Sequence, residues 1–93
     1  MKYTVRETAQ FRRDRRLCVR QGLAQEELDA VVLALAAGEE LAPKFHDHAL
    51  SGPWKGFRDC HIRPDWVLVY RIDGGALELV LTRTGTHSEL FAK

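Results

Sequence analysis

The run Trp66 to Ile72 (Trp-Val-Leu-Val-Tyr-Arg-Ile) is apolar at every position but Arg71, and Asp73-Gly74-Gly75 follows at once. So short a run, rich in β-branched and aromatic side chains, is extended backbone rather than helix. A strand apolar on both faces has to be covered on both, which makes it the central strand of a sheet packed by helices. Asp-Gly-Gly is a hairpin signal, so the chain must return. It does so over Ala76 to Arg83, with Leu77, Leu79 and Leu81 on one face. Upstream, Trp54 to Ile62 reads as a third strand, with Phe57, Asp59 and His61 on one face and Arg58, Cys60 and Ile62 on the other.

The N-terminal half has a different period. Leu28, Val31, Val32 and Leu35 follow the i, i+3, i+4, i+7 template of an amphipathic helix, with Glu26 and Glu27 in its first turn and Gly38 to end it. Before it, Thr8 can cap a helix running to about Gln21, with Gly22 as its stop. Its apolar face, Phe11, Cys18 and Val19, is interrupted by Asp14 and Arg15. Residues 2–6 alternate like a strand. The predicted fold class is α+β: an N-terminal strand, a two-helix hairpin, then an antiparallel β-meander packed on the helices. No repeat or linker interrupts the chain, so residues 1–93 are expected to form one domain.

No apolar run approaches the ~20 residues of a membrane span. The N-terminus lacks the apolar stretch of a signal peptide, and Cys18 and Cys60 read as two reduced thiols of a cytoplasmic protein. The net charge of +1 conceals an asymmetry. Residues 1–20 carry seven cations against Glu7 and Asp14, and five of those cations are arginines between Arg12 and Arg20. Such a surface suits a polyanion or an acidic protein, and is equally compatible with an ordinary solvated helix face.

Three of the four histidines, His48, His61 and His87, accompany the strands. A tight hairpin at Gly74-Gly75 would set Trp66 opposite Arg83 and Asp65 opposite Thr84. The Arg63-Pro64 corner would bring His61 near Trp66. His61, Asp65, Trp66 and Arg83 are then expected at one end of the sheet, with His87 within four residues. His48 is not placed by periodicity, since the next strand starts at the opposite end, on the order of 20–25 Å away.

A set of imidazoles beside an Asp and an Arg can perform acid–base chemistry on a phosphate. One imidazole can take the proton of a ribose 2′-hydroxyl, a second donor can protonate the departing 5′-oxygen, and Arg83 can stabilise the charge between them. Trp66 or Phe91 can stack on a base. Two other readings stand beside this one. His46-x-His48 with His61 and Asp65 contains metal-competent ligands without a tight zinc spacing, and any single histidine is by default a structural one.

Four segments, in order, resemble the YafQ branch of the RelE/ParE superfamily of bacterial type II toxin–antitoxin systems. They are Asp47-His48-Ala49-Leu50-Ser51-Gly52, Trp54-Lys55-Gly56-Phe57-Arg58-Asp59, His61-Ile62-Arg63-Pro64-Asp65-Trp66 and Arg83-Thr84-Gly85-Thr86-His87-Ser88-Glu89-Leu90-Phe91. The resemblance implies a RelE-like microbial ribonuclease fold and a ribosome-dependent mRNA endoribonuclease that cuts in the A site without a metal or other cofactor. It implies His48, His61, Asp65 and His87 as the catalytic group. His87 would be the general acid, His48 or His61 the base, and Asp65 would orient an imidazole. Arg83 would hold the scissile phosphate, and Trp66 and Phe91 would line a base pocket, while His46 has no counterpart in the motif. The implied partners are a cognate antitoxin of ribbon-helix-helix type in a 2:2 complex, the ribosome with its mRNA, and operator DNA through the antitoxin. A ParE-like gyrase-binding toxin is the alternative, and it would be expected to lack this histidine set.

Overall fold

The structure, a computed structural model, describes residues 1–91. In chain order the elements are β1 (Thr4–Glu7), α1 (Ala9–Arg20), α2 (Gln25–Ala36), β2 (His48–Ala49), β3 (Arg58–Arg63), β4 (Trp66–Asp73), β5 (Glu78–Gly85) and α3 (His87–Phe91). Single 3₁₀ turns at Pro43–Phe45 and Gly52–Trp54 flank β2. The expected meander is present as β3-β4-β5 and is extended on both sides into a five-stranded sheet ordered β1-β5-β4-β3-β2. β1 pairs parallel with β5, and the other pairs are antiparallel.

Both faces of β4 are covered, by different material. Trp66, Leu68 and Tyr70 point into the main core with Phe11 and Cys18 of α1, Leu28, Val31 and Leu35 of α2, and Leu79 and Leu81 of β5. Val67 and Val69 point the other way, into a smaller cluster capped by Leu90 and packed by Leu50, Trp54, Phe57 and Phe91. The two-helix hairpin therefore covers one face only. The segment 50–57 and α3 cover the other; Trp54–Phe57, expected as the start of the third strand, instead leave a 3₁₀ turn through Lys55-Gly56, and β3 begins only at Arg58.

The β4–β5 hairpin corrects the expected register. Its loop is four residues long, Gly74 to Leu77, with Leu77 at φ 53°. The Asp73 carboxylate accepts the backbone N–H groups of Gly75 and Ala76 at 3.1 and 3.0 Å. Asp73 pairs with Glu78, and Tyr70 with Leu81, but Val69 pairs with Arg83, so Thr82 is an extra residue on β5. This bulge advances the register once more and sets Val67, not Trp66, near the end of the pairing, opposite Gly85.

Asp14, which broke the apolar pattern of α1, is buried on its inner face. It lies three residues after Phe11 and four before Cys18, so helical spacing aims it inward. Its carboxylate receives Arg83 Nε and Nη2 at 3.0 and 2.9 Å, Gln10 Nε2 at 3.0 Å and the Thr84 backbone N–H at 3.2 Å. Thr8 ties the same helix to the bulge, accepting the Phe11 N–H at 3.0 Å and donating to the Thr82 carbonyl at 2.9 Å.

Loop 43–53 folds back because Asp47 is anchored. Tyr70 donates its hydroxyl to Asp47 Oδ1 at 2.6 Å, and Arg58 Nη2 donates to Oδ2 at 3.2 Å. Desolvation and this hydrogen bond push the Tyr70 hydroxyl well above the usual phenol range, so it stays a donor. With Asp47 fixed, the short strand β2 pairs His48 with Asp59 and Ala49 with Arg58.

Two predictions follow from these anchors. Tyr70→Phe removes a hydrogen bond to a charged acceptor and should lower unfolding free energy by about 1–3 kcal/mol. In hydrogen exchange it should deprotect the Leu50 amide, which donates to the Phe57 carbonyl, while β4–β5 amides stay protected relative to the new global stability. Burial alone would raise the Asp14 carboxyl, but the bonds from Arg83, Gln10 and Thr84 together outweigh it and hold it below the carboxylate range. Stability from this group is complete above the unfolded carboxyl value of about 4. It is lost as pH falls through the lower folded value, since the unfolded chain binds the proton first. Urea midpoints of the parent should therefore fall more steeply below about pH 4 than those of Asp14→Asn.

Candidate functional site

The cluster lies on the sheet face away from α1 and α2. Asp59 and His61 alternate with the core residues Cys60 and Ile62, so both are turned to that face. β2 adds His48 directly beside Asp59. At the end of β5, Gly85 leads into α3 through a close approach: a Cβ at Gly85 would lie 3.2 Å from Glu89 Oε1 and 3.5 Å from Leu90 Cδ2. A capping box fixes the start of α3. Thr86 Oγ1 accepts the Glu89 N–H at 3.1 Å, and Glu89 Oε1 accepts the Thr86 N–H at 2.9 Å. The backbone and side-chain bonds from Thr86 hold the Glu89 carboxyl below its ordinary range. His87 thereby becomes the first helical residue, with Phe91 one turn on, and their ring centroids are 4.9 Å apart.

Three imidazoles form a row. The His46 and His61 centroids are 5.8 Å apart, and those of His61 and His87 are 6.5 Å apart. His46, which the motif comparison left out, thus belongs to the cluster. Its backbone is left-handed (φ 49°, ψ 41°), and this turns its carbonyl onto His48 Nδ1 at 2.7 Å. A carbonyl can only accept, so Nδ1 carries the proton and Nε2 of a neutral His48 is a free acceptor. The same logic applies to His61, whose Nδ1 lies 3.2 Å from the Pro64 carbonyl.

Asp59 is the second residue that sequence reasoning missed. Its side chain is buried, and Oδ1 lies 3.2 Å from His48 Nδ1. Because that nitrogen directs its proton at His46, Oδ1 has no hydrogen bond of its own among the described residues. A buried carboxylate without a donor is costly, and it offers a partner for positive charge arriving on His48. The available signal was the alternation of β3, which set Asp59 on the same face as His61.

His48, Asp59, His87, Phe91, Trp54, Leu50 and Ser51 line a cavity of about 270 Å³. The Trp54 ring is 5.6 Å from that of Phe91 and 5.5 Å from that of Phe57. On the other side of His48 a groove of about 1090 Å³ runs between α2, the Pro43–Phe45 turn and the end of β3. His48 lines both, with His46 and His61 on the groove and His87 on the smaller cavity.

Not every expected residue joins them. Trp66 cannot stack on a base: it is 1% exposed in the main core, and its indole N–H is donated to Thr84 Oγ1 at 2.9 Å. Arg83 lines neither cavity and has its guanidinium on Asp14. Asp65 is exposed at the β3–β4 turn and forms no hydrogen bond with a histidine among the described residues. The register shift separates Trp66 from Arg83, which stands opposite Val69 instead. Both thiols are buried and raised by desolvation, Cys60 to about 12, so neither is a nucleophile at neutral pH. Among the described residues no group of three or more His, Cys, Asp or Glu side chains is placed to hold a metal ion.

Comparison with known proteins identifies the family. The profile of the family described as "Bacterial toxin of type II toxin-antitoxin system, YafQ" matches residues 3–92. The chain is 34% identical over 85 residues to the mRNA interferase toxin YafQ of Escherichia coli B/BL21-DE3, covering 90% of each protein. With two further relatives the aligned part spans about half of the relative's length. A crystal structure of a metal-bound toxin from Helicobacter pylori superposes with a TM-score of 0.90 at 43% identity, over 96% of this chain and 99% of that one. YafQ in the E. coli DinJ–YafQ toxin–antitoxin complex superposes with a TM-score of 0.88 at 31% identity, over 99% and 100%. The fold is accordingly RelE-like, and the chain belongs to the YafQ family of toxins of bacterial type II toxin–antitoxin systems.

Proposed function

We propose that this chain is an mRNA interferase, a ribosome-dependent endoribonuclease that cuts mRNA in the A site by metal-independent acid–base chemistry. The observation that carries the reading is His48, half exposed and held by the His46 carbonyl at Nδ1 so that Nε2 is left to accept, with Asp59 Oδ1 buried 3.2 Å from Nδ1 and without a hydrogen bond among the described residues. Nε2 takes the proton of a ribose 2′-hydroxyl as its oxygen attacks the adjacent phosphorus. The positive charge that forms on the ring finds its partner in Asp59. His87, across the same cavity, donates a proton to the 5′-oxygen as the P–O bond breaks. The products are a 2′,3′-cyclic phosphate and a 5′-hydroxyl. His61, with its ring centroid 6.5 Å from that of His87, can offer Nε2 to a non-bridging phosphate oxygen once protonated.

Phe91 and Trp54, rather than Trp66, supply aromatic surface beside His87. Asp65 acts at one remove, through the turn that presents the Pro64 carbonyl to His61. Arg83 would meet a phosphate only through Nη1, the guanidinium nitrogen that Asp14 leaves free.

The exposed arginines of α1, Arg12, Arg13, Arg16 and Arg20, fit the phosphates of ribosomal RNA. The DinJ–YafQ relative binds an antitoxin, and we assign this chain a cognate antitoxin of ribbon-helix-helix type in a 2:2 assembly that reaches operator DNA. Among the described residues no helix is long and apolar enough to cross a membrane; action on translating ribosomes would put the protein in the cytoplasm.

Removing a positioned general acid costs roughly 10²–10⁴-fold in rate. His87→Ala should therefore cut A-site mRNA on programmed ribosomes at least about 100-fold more slowly, and should no longer arrest growth on induction. A fully toxic His87→Ala with cellular mRNA intact would exclude the nuclease reading.

A further inference from the structure

The groove beside the histidines has no part in the proton transfers, yet it opens onto them. It is lined by Ala34 of α2, Leu41, Phe45 and Ile62 together with His46, His48 and His61. At about 1090 Å³ it lies at the upper end of the range of small-molecule sites, ~300–1,000 Å³. Two cations stand on its rim. Arg63 is bridged to Glu27, whereas Lys44 makes no ion pair among the described residues and holds Nζ 5.2 Å from the centroid of the Phe45 ring.

We infer that this groove is a nucleobase subsite, and that it receives the base of the nucleotide on the 5′ side of the cut. This rests on the roles proposed above for His48 and His87. The row of rings runs His46, His61, His87, with the leaving-group acid at one end and the groove at the other. A strand lying across the row with its departing 5′-oxygen at His87 must place the ribose that bears the attacking 2′-hydroxyl at His48. The base of that ribose then faces the groove. An apolar slot with an aromatic wall fits the face of a base, and a free ammonium at its mouth fits the phosphate one step further along the strand. The aromatic pair Trp54–Phe91 lies on the other side of His48 and serves the nucleotide 3′ of the cut.

The test is a cycle between protein and substrate. Cleavage of ribosome-bound mRNA is compared for the parent chain and Phe45→Ala, with a normal or an abasic nucleotide 5′ of the cut. Loss of a stacked base should lower kcat/KM of the parent by about 10-fold. Phe45→Ala should lose a similar factor with the normal substrate and little more with the abasic one. Ala30→Trp, on the exposed side of the groove, keeps the core intact and should raise KM about 10-fold with kcat nearly unchanged. Independent, multiplying losses from Phe45→Ala and the abasic nucleotide would overturn the subsite while leaving the nuclease reading intact. So would an Ala30→Trp chain that cleaves normally but escapes its co-expressed antitoxin, which would make the groove a protein contact. A parent chain that cuts no mRNA would remove both proposals together.

Discussion

The hydrogen bond from Tyr70 to Asp47, 2.6 Å long and backed by Arg58, is the contact on which the rest of the site depends. It reaches from the buried central strand to a loop with almost no regular structure of its own. By holding Asp47 it sets the next residue, His48, beside Asp59 on the opposite face of the sheet. Without it, two residues of β2 pairing would have to fix a loop of some ten residues, and so short an edge strand is weak. The donor is buried in the main core and the acceptor immediately precedes His48, so the packing of the helices is coupled directly to the position of that imidazole.

The left-handed residue His46 is a second device of the same kind. A non-glycine residue with positive φ is uncommon and costs roughly 1 kcal/mol or more. Here it turns a carbonyl onto His48 and fixes the tautomer with the proton on Nδ1 and Nε2 left as an acceptor. Asp59 completes the arrangement, with Oδ1 buried and without a hydrogen bond among the described residues. Loss of a buried hydrogen bond and a strained backbone, within one small cluster, are the signature of a site arranged for chemistry rather than stability.

Much of this was legible in the chain. The apolar run Trp66–Ile72 specified the central strand, the heptad-like spacing of Leu28, Val31 and Leu35 specified α2, and Thr8 marked the start of α1. The alternation of β3 correctly separated Asp59 and His61 from Cys60 and Ile62. The register of the β4–β5 hairpin was not legible. Gly74-Gly75 looks like a two-residue turn, but Asp73 caps a four-residue loop, and nothing in the residues announces the extra Thr82. That register set Trp66 opposite Arg83 in the expected cluster, where the family resemblance also put both, whereas Val69 stands opposite Arg83. Asp14 read as a flaw in an amphipathic helix because its partner lies 69 residues away. His48 and His46 were beyond reach for a related reason: long-range hydrogen bonds and a backbone twist place them, and periodicity carries neither.

The central claim is that 2′-hydroxyl attack, with proton transfers by histidine, breaks the RNA. The ends of the cut strand test it most directly. Programmed ribosomes would be treated with the protein, and the fragments analysed by mass spectrometry, with a parallel substrate carrying a single 2′-deoxy nucleotide 5′ of the cut. The account predicts a 2′,3′-cyclic phosphate or its 3′-phosphate hydrolysis product on one fragment, a 5′-hydroxyl on the other, and no cleavage at the 2′-deoxy position. A 3′-hydroxyl facing a 5′-phosphate, or undiminished cleavage of the 2′-deoxy substrate, would contradict it.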